Sequence, residues 1–104
     1  MSNVITPELL LEHHFIKNTV KGKVYYILNT DKYTIELYPK DDGSFICQVS
    51  DIIGYFYYAT VNVKWVSKFN NLMDAMNTNV YLPELPNNFL RTYQQLSLKY
   101  LNND

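Results

Sequence analysis

Between residues 23 and 61 the chain carries four short runs rich in strand-forming residues, joined by connections too short to hold a helix. That spacing constrains the fold more than any other feature. Consecutive strands joined by tight turns must pair antiparallel, because a parallel pair needs a crossover of a dozen residues or more. The runs are Lys23 to Leu28, Tyr33 to Tyr38, Ser44 to Ser50 and Tyr55 to Val61. Asn29-Thr30-Asp31 separates the first two, and Pro39-Lys40-Asp41-Asp42-Gly43 is the strongest turn signal in the chain. The last turn lies near Asp51 and Gly54.

The middle runs alternate with period two. Tyr33, Ile35 and Leu37 oppose Thr34, Glu36 and Tyr38, and Phe45, Cys47 and Val49 oppose Ser44, Ile46, Gln48 and Ser50. One face is apolar and the other mixed, as in a sheet covered on one side. The fourth run puts Tyr55, Tyr57, Ala59 and Val61 on one face and Phe56, Tyr58 and Thr60 on the other. Both of those faces are bulky, so the pattern leaves open which side of the sheet is buried.

Helical signals flank the strands. Thr6 is a cap, Pro7 suits the first helical position and Glu8 complements the positive end of the dipole, so a helix is predicted from Pro7 to about His14. Ile16-Lys17-Asn18 reads as a segment leading outward. After the strands the period changes to 3.6: Val63, Val66, Phe69, Leu72, Met73 and Met76 form one stripe, predicting a helix from about Val63 to Met76 with Asn62 as a possible cap. Pro83 and Pro86 mark an extended connection, and Phe89, Tyr93, Leu96 and Tyr100 predict a last helix from about Asn88 to Leu101. The expected fold is therefore one α+β domain over residues 1–104. It is a four-stranded antiparallel meander, with an N-terminal helix and two C-terminal helices packed on one face. There is no internal repeat and no low-complexity segment.

Composition narrows function mainly by exclusion. Hydrophobic residues make up 47% and charged residues 18%, a globular balance. No apolar stretch is long enough to span a bilayer, and Met1-Ser2-Asn3-Val4 lacks the pattern of a secretory leader, so no membrane partner and a cytoplasmic location are expected. The single cysteine cannot form an internal disulfide or a cysteine-based zinc site. One Arg and eight Lys lie scattered, with Lys17, Lys21 and Lys23 the densest basic group. Three lysines near a hairpin read as a solvated rim, which puts nucleic acid well below protein as a partner.

No catalytic signature is found. His13 and His14 are neighbours on a helix and diverge by about 100°, whereas a helical zinc pair needs i,i+4 spacing. Cys47 sits mid-strand among apolar neighbours with no base to activate it, so it reads as a small core residue. Asp41-Asp42-Gly43 lacks the acidic ladder of a calcium loop and reads as a turn. Gly22, Gly43 and Gly54 are too far apart for any phosphate-binding loop. Glu36 has no obvious partner carboxylate and reads as a solvated outer-face acid. No cofactor and no metal are expected.

What remains is aromatic surface. The chain has 10 Tyr, most of them in the strand region. Tyrosine is a good strand former, and cross-strand ring pairs explain part of this excess. With one helical layer only one face is covered, so Tyr38, Ile46, Phe56 and Tyr58 are candidates for an exposed interaction face. Ile52 and Ile53 are poor turn residues and read either as an extension of the third strand or as an exposed apolar tip. The leading expectation is a non-enzymatic domain that binds a protein partner or self-associates. One alternative is a small-ligand site or minor enzyme in a sheet–helix cleft, around Glu36, Tyr38, His14 and Cys47. Another is single-stranded nucleic acid on the aromatic face.

The helix ending at Phe15, the run Tyr33-Thr34-Ile35-Glu36-Leu37-Tyr38-Pro39 with Asp42-Gly43, and the Val-x-x-Val-x-x-Phe stripe together resemble small uncharacterised proteins of bacterial phages and mobile elements. The likeness covers about residues 6–76 and consists of hydrophobic placement rather than a catalytic motif. It implies an accessory protein that binds and inhibits a protein of the bacterial host cell, and it assigns no active residues.

Overall fold

The alternation at the centre of the sequence becomes the centre of a sheet. A computed structural model describes residues 3–54 and 56–84. In chain order it contains α1 (Pro7–Glu12), β1 (Ile16–Val20), β2 (Lys23–Asn29), β3 (Tyr33–Pro39), β4 (Phe45–Asp51), β5 (Tyr57–Val63) and α2 (Val66–Ala75). The strands form one antiparallel sheet in the order β1-β2-β3-β4-β5. The predicted helix from Asn88 to Leu101 lies outside the described residues.

The register places Tyr26, Leu37, Cys47 and Val61 in one row across β2 to β5, and Leu28, Ile35, Val49 and Ala59 in the next. Ile35, Leu37, Cys47 and Val49 are wholly buried. They face Leu10 of α1, Phe15 after it, and Val66, Phe69 and Met73 of α2, in a single cluster. Phe15 and Phe69 meet edge to face at 6.2 Å. The architecture is thus α+β, with both described helices contributing to a core on one face of the sheet. No described helix is long and apolar enough to cross a membrane.

The sheet has five strands, not four. Ile16 to Val20, read from sequence as an outgoing segment, pairs along its whole length with Lys23 to Ile27. Lys21 and Gly22 both have positive φ, 52° and 78°, and form the two-residue left-handed turn that matches strand twist. α1 ends at Glu12 rather than His14. His14 turns left-handed with φ 76°, and the Phe15 N–H donates to the Leu10 carbonyl, which swings Phe15 into the core. The start of α1 follows the sequence reading: the Thr6 side chain accepts from Leu9 N–H at 3.1 Å.

At the other end, Val63 belongs to β5, paired with Phe45, and α2 starts at Val66 behind Trp65, not behind Asn62. A wholly buried valine satisfies a strand and a helical stripe equally well. The chain start decides the matter, because residues 3–5 run beside this junction. Ile5 N–H donates to the Lys64 carbonyl and Val66 N–H to the Asn3 carbonyl, both at 2.9 Å. After α2 the chain returns across the core. Leu82 is held by the Asn70 side chain through two hydrogen bonds of 2.9 Å, one in each direction.

Phe69→Ala should cost about 3–5 kcal/mol in urea denaturation, as deletion of a buried ring does. A pH effect follows from Cys47. Burial pushes its thiol up to about 12 from an ordinary 9.0. Above pH 9 the unfolded chain therefore releases a proton that the native chain keeps, and stability falls as pH rises, at up to about 1.4 kcal/mol per pH unit. Cys47→Ala should flatten that part of the decline when urea midpoints are compared between about pH 8 and 10.5.

Candidate functional site

The turn between β4 and β5 is built around one carboxylate. Asp51 Oδ1 accepts from Gly54 N–H at 2.8 Å and from Phe56 N–H at 3.1 Å. The Asp51 backbone N–H donates to the Phe56 carbonyl at 3.0 Å, and its carbonyl also accepts from Gly54 N–H at 2.9 Å. Gly54 has φ +87°, a conformation that costs glycine little and strains other residues. Ile52 N–H donates to the Lys32 carbonyl at 3.0 Å, tying this turn to the neighbouring β2–β3 turn. The backbone N–H groups of Asp51, Ile52, Gly54 and Phe56 are thus all bonded within the molecule.

Its side chains are apolar and point into solvent. Ile53 is 68% exposed, Phe56 65%, Tyr57 62%, Tyr58 53% and Ile52 44%. A bulge contributes to this. The register shifts between Val49 and Ser50, so that Ser50 faces Tyr57 while Val49 faces Ala59. Tyr58 is the extra residue, and its ring meets Tyr33 edge to face at 5.7 Å. Ile52, Ile53 and Phe56 on the braced turn, with Tyr57 and Tyr58 at the start of β5, put five large side chains into solvent at this end of the sheet. A turn already held in place suits docking, because little ordering remains to be done on contact.

The six residues singled out from sequence separate into two groups. Ile52, Ile53, Phe56 and Tyr58 come together at this tip. Tyr38 and Ile46 are half-buried cross-strand partners on the uncovered face of the sheet. Ile46 lies near the start of β4 and Ile52 just past its end, six positions apart, roughly 20 Å at a rise of about 3.3 Å per residue. Tyr38 is already engaged: it stacks on Tyr25 at 5.1 Å and its hydroxyl is hydrogen-bonded to the Glu36 carboxylate. Burial, then the Glu36 charge, pushes it up to about 12. Tyr25 in turn accepts from the Asn18 amide at 2.9 Å.

The residues proposed for a ligand cleft do not converge. Cys47 is sealed in the core, Glu36 and Tyr38 lie on the opposite face of the sheet, and His14 is exposed beyond α1. A depression of about 390 Å³ touches Tyr38 and Tyr25; its other walls are Val20, Lys21, Lys23 and Val24, and no carboxylate lines it. Among the described residues, no three His, Cys, Asp or Glu side chains gather as metal ligands would. Asp42 serves its turn by accepting from Ser44 N–H at 2.9 Å and Ser44 Oγ at 2.6 Å, which hold its carboxyl below the usual range.

Tyr57 was the tip residue not visible in the sequence pattern. Strict alternation groups it with Ala59 and Val61, whereas the bulge sets it opposite Ser50, on the uncovered face that also carries Tyr38. The Ile52-Ile53 pair followed by Gly54 and a ring-rich run was the usable signal. Asp51→Ala should lower stability by about 0.5–1.5 kcal/mol, the net worth of a hydrogen bond at an exposed turn, since Gly54 N–H keeps the Asp51 carbonyl while Phe56 N–H loses its acceptor. It should also speed amide exchange at Gly54 and Phe56 specifically, measured by NMR. No protein-family model, curated protein or solved structure matches the chain.

Proposed function

We propose that the chain is a non-enzymatic protein-binding domain that docks through the β4–β5 tip. The observation carrying this reading is the exposure of Ile52, Ile53 and Phe56 on a turn held by Asp51, and of Tyr57 and Tyr58 at the strand start beside it. Monomeric proteins rarely leave such a cluster uncovered without a use for it. Rings and branched aliphatics give contact area at low entropic cost, as the anchors of interfaces do. The tip carries no lysine or arginine between Asp51 and Tyr58, which fits an apolar groove on a protein better than a phosphate backbone. The more specific form of the proposal rests on the resemblance to accessory proteins of phages and mobile elements. In that form the partner is a bacterial host protein and binding inhibits it, in the manner of an anti-defence factor. Tyr38 and Ile46 would then stabilise the sheet rather than touch the partner.

The test compares two proteins. Wild type and Ile53→Asp/Phe56→Asp are immobilised and challenged with bacterial lysate after photo-crosslinking at the tip. A band captured by wild type and lost in the variant is expected, with the two melting within a few degrees of each other, since exposed positions contribute little to stability. The captured protein, identified by mass spectrometry and assayed alone, should lose activity on addition of wild type and keep it with the variant. Equal capture by both proteins would refute the tip as the docking surface.

A further inference from the structure

We propose that two copies of this chain join through β1, extending their sheets edge to edge into one. The proposal concerns a different surface from the tip and does not depend on it. Every residue of β1 is exposed, and among the described residues β1 pairs only with β2. Ile16 is 67% and Val20 51% exposed.

The hairpin geometry fixes which backbone groups are free. In a two-residue left-handed hairpin the closing pair, here Val20 and Lys23, exchanges both hydrogen bonds. Bonded pairs then alternate with unbonded ones, so Asn18 and Ile16 also bond to β2. Lys17 and Thr19 turn their N–H and C=O groups outward, toward the open edge. An independent observation agrees: Thr19 N–H bonds not to β2 but to the Asn18 side chain, at 2.9 Å.

The two edges of the sheet differ. Alongside β5 the ladder is broken by a bulge, and residues 3–5 cover its end through the Val4–Trp65 bridge and the Ile5 to Lys64 bond. Bulges and covering segments are how proteins keep strand edges from pairing. β1 has no bulge and no proline, and one lysine is its only charge.

The β1 sequence suits an antiparallel copy of itself. A two-fold axis at Asn18 places Lys17 opposite Thr19 of the second copy, so the outward groups of each meet the outward groups of the other. Thr19 N–H exchanges its Asn18 acceptor for the Lys17 carbonyl of the second copy. The same axis puts Ile16 opposite Val20 on the uncovered face, twice, and keeps the two Lys17 side chains from facing each other. Apolar pairs across a new strand junction are the stabilising unit of a sheet. The contact has the symmetry of a closed dimer.

The experiment is sedimentation velocity of the full chain from micromolar to near-millimolar concentration, together with variants that read the register. Wild type should pass from one mass to twice that mass as concentration rises. Ile16→Glu/Val20→Glu places carboxylates opposite carboxylates and should stay monomeric throughout. Ile16→Lys/Val20→Glu places opposite charges across the axis and should restore the dimer. Both variants set Glu beside Lys23 of the same chain, so the hairpin itself is retained, and circular dichroism checks this. Thr19→Pro removes an outward N–H and should weaken association at least tenfold. The proposal is overturned by a wild type that remains monomeric over the whole range, or by a dimer that none of these variants alters. It is equally overturned by a dimer abolished by Ile53→Asp/Phe56→Asp, which would place the contact at the tip instead. Loss of lysate capture in the tip variant with an intact dimer bears on the tip alone.

Discussion

One face of β3 and β4 must be kept from water, and the rest of the molecule is arranged to do so. Ile35, Leu37, Cys47 and Val49 have no exposure, yet the strands carrying them are flat and cannot cover themselves. α2 supplies Val66, Phe69 and Met73, α1 supplies Leu10, and the sharp turn at His14 delivers Phe15. Even the segment after α2 is recruited, with Leu82 fixed by Asn70. Non-polar burial is the dominant favourable contribution in a chain of this size, and nearly all of it is on this side. The opposite face is left to smaller interactions, such as the Tyr25–Tyr38 stack with its bonds to Asn18 and Glu36.

That asymmetry explains what could be read in advance. β2, β3 and β4 were legible because burial on one side only imposes period two, and because the turn at 39–43 carries a strong chemical signal. Thr6 and Pro7 marked the start of α1 through local chemistry, which needs no tertiary context. β1 was not legible by pattern because none of its residues is buried, so no alternation was ever selected into it. Its only local mark was Lys21-Gly22 between two valine-containing segments. The border between β5 and α2 was misplaced because Val63 serves either periodicity, and residues 3–5, far away in sequence, decide between them.

The candidate site was legible in half. Ile52 and Ile53 stood out as wrong for a turn, and Phe56 and Tyr58 as rings without an obvious side to bury against. Alternation alone sets Tyr38 and Ile46 on the same uncovered face as these rings. In the structure the two sets are separated along β4, and Tyr38 is occupied by Tyr25 and Glu36. A bulge is a register event between two strands, so no single-strand pattern could place Tyr57 beside the tip. The sequence marks Asp51 only as a turn residue, whereas in the fold its carboxylate accepts two backbone N–H groups and braces the turn that carries the apolar residues.

The two surfaces lie at opposite sides of the same sheet. β1 forms one edge and β5 the other, with three strands between them. At about 4.8 Å per strand they are separated by roughly 19 Å within a copy. A pair of copies joined at β1 therefore leaves both tips free, at the two far edges of a continuous sheet. Such an arrangement presents two identical apolar anchors on one rigid body. A partner that is itself dimeric, or that repeats its groove along a surface, would then be held with an affinity greater than one tip can give. That gain depends on whether the distance between grooves matches the distance between tips. Were both proposals to hold, edge pairing and tip docking would reinforce one another because the strand order keeps β1 and β5 apart.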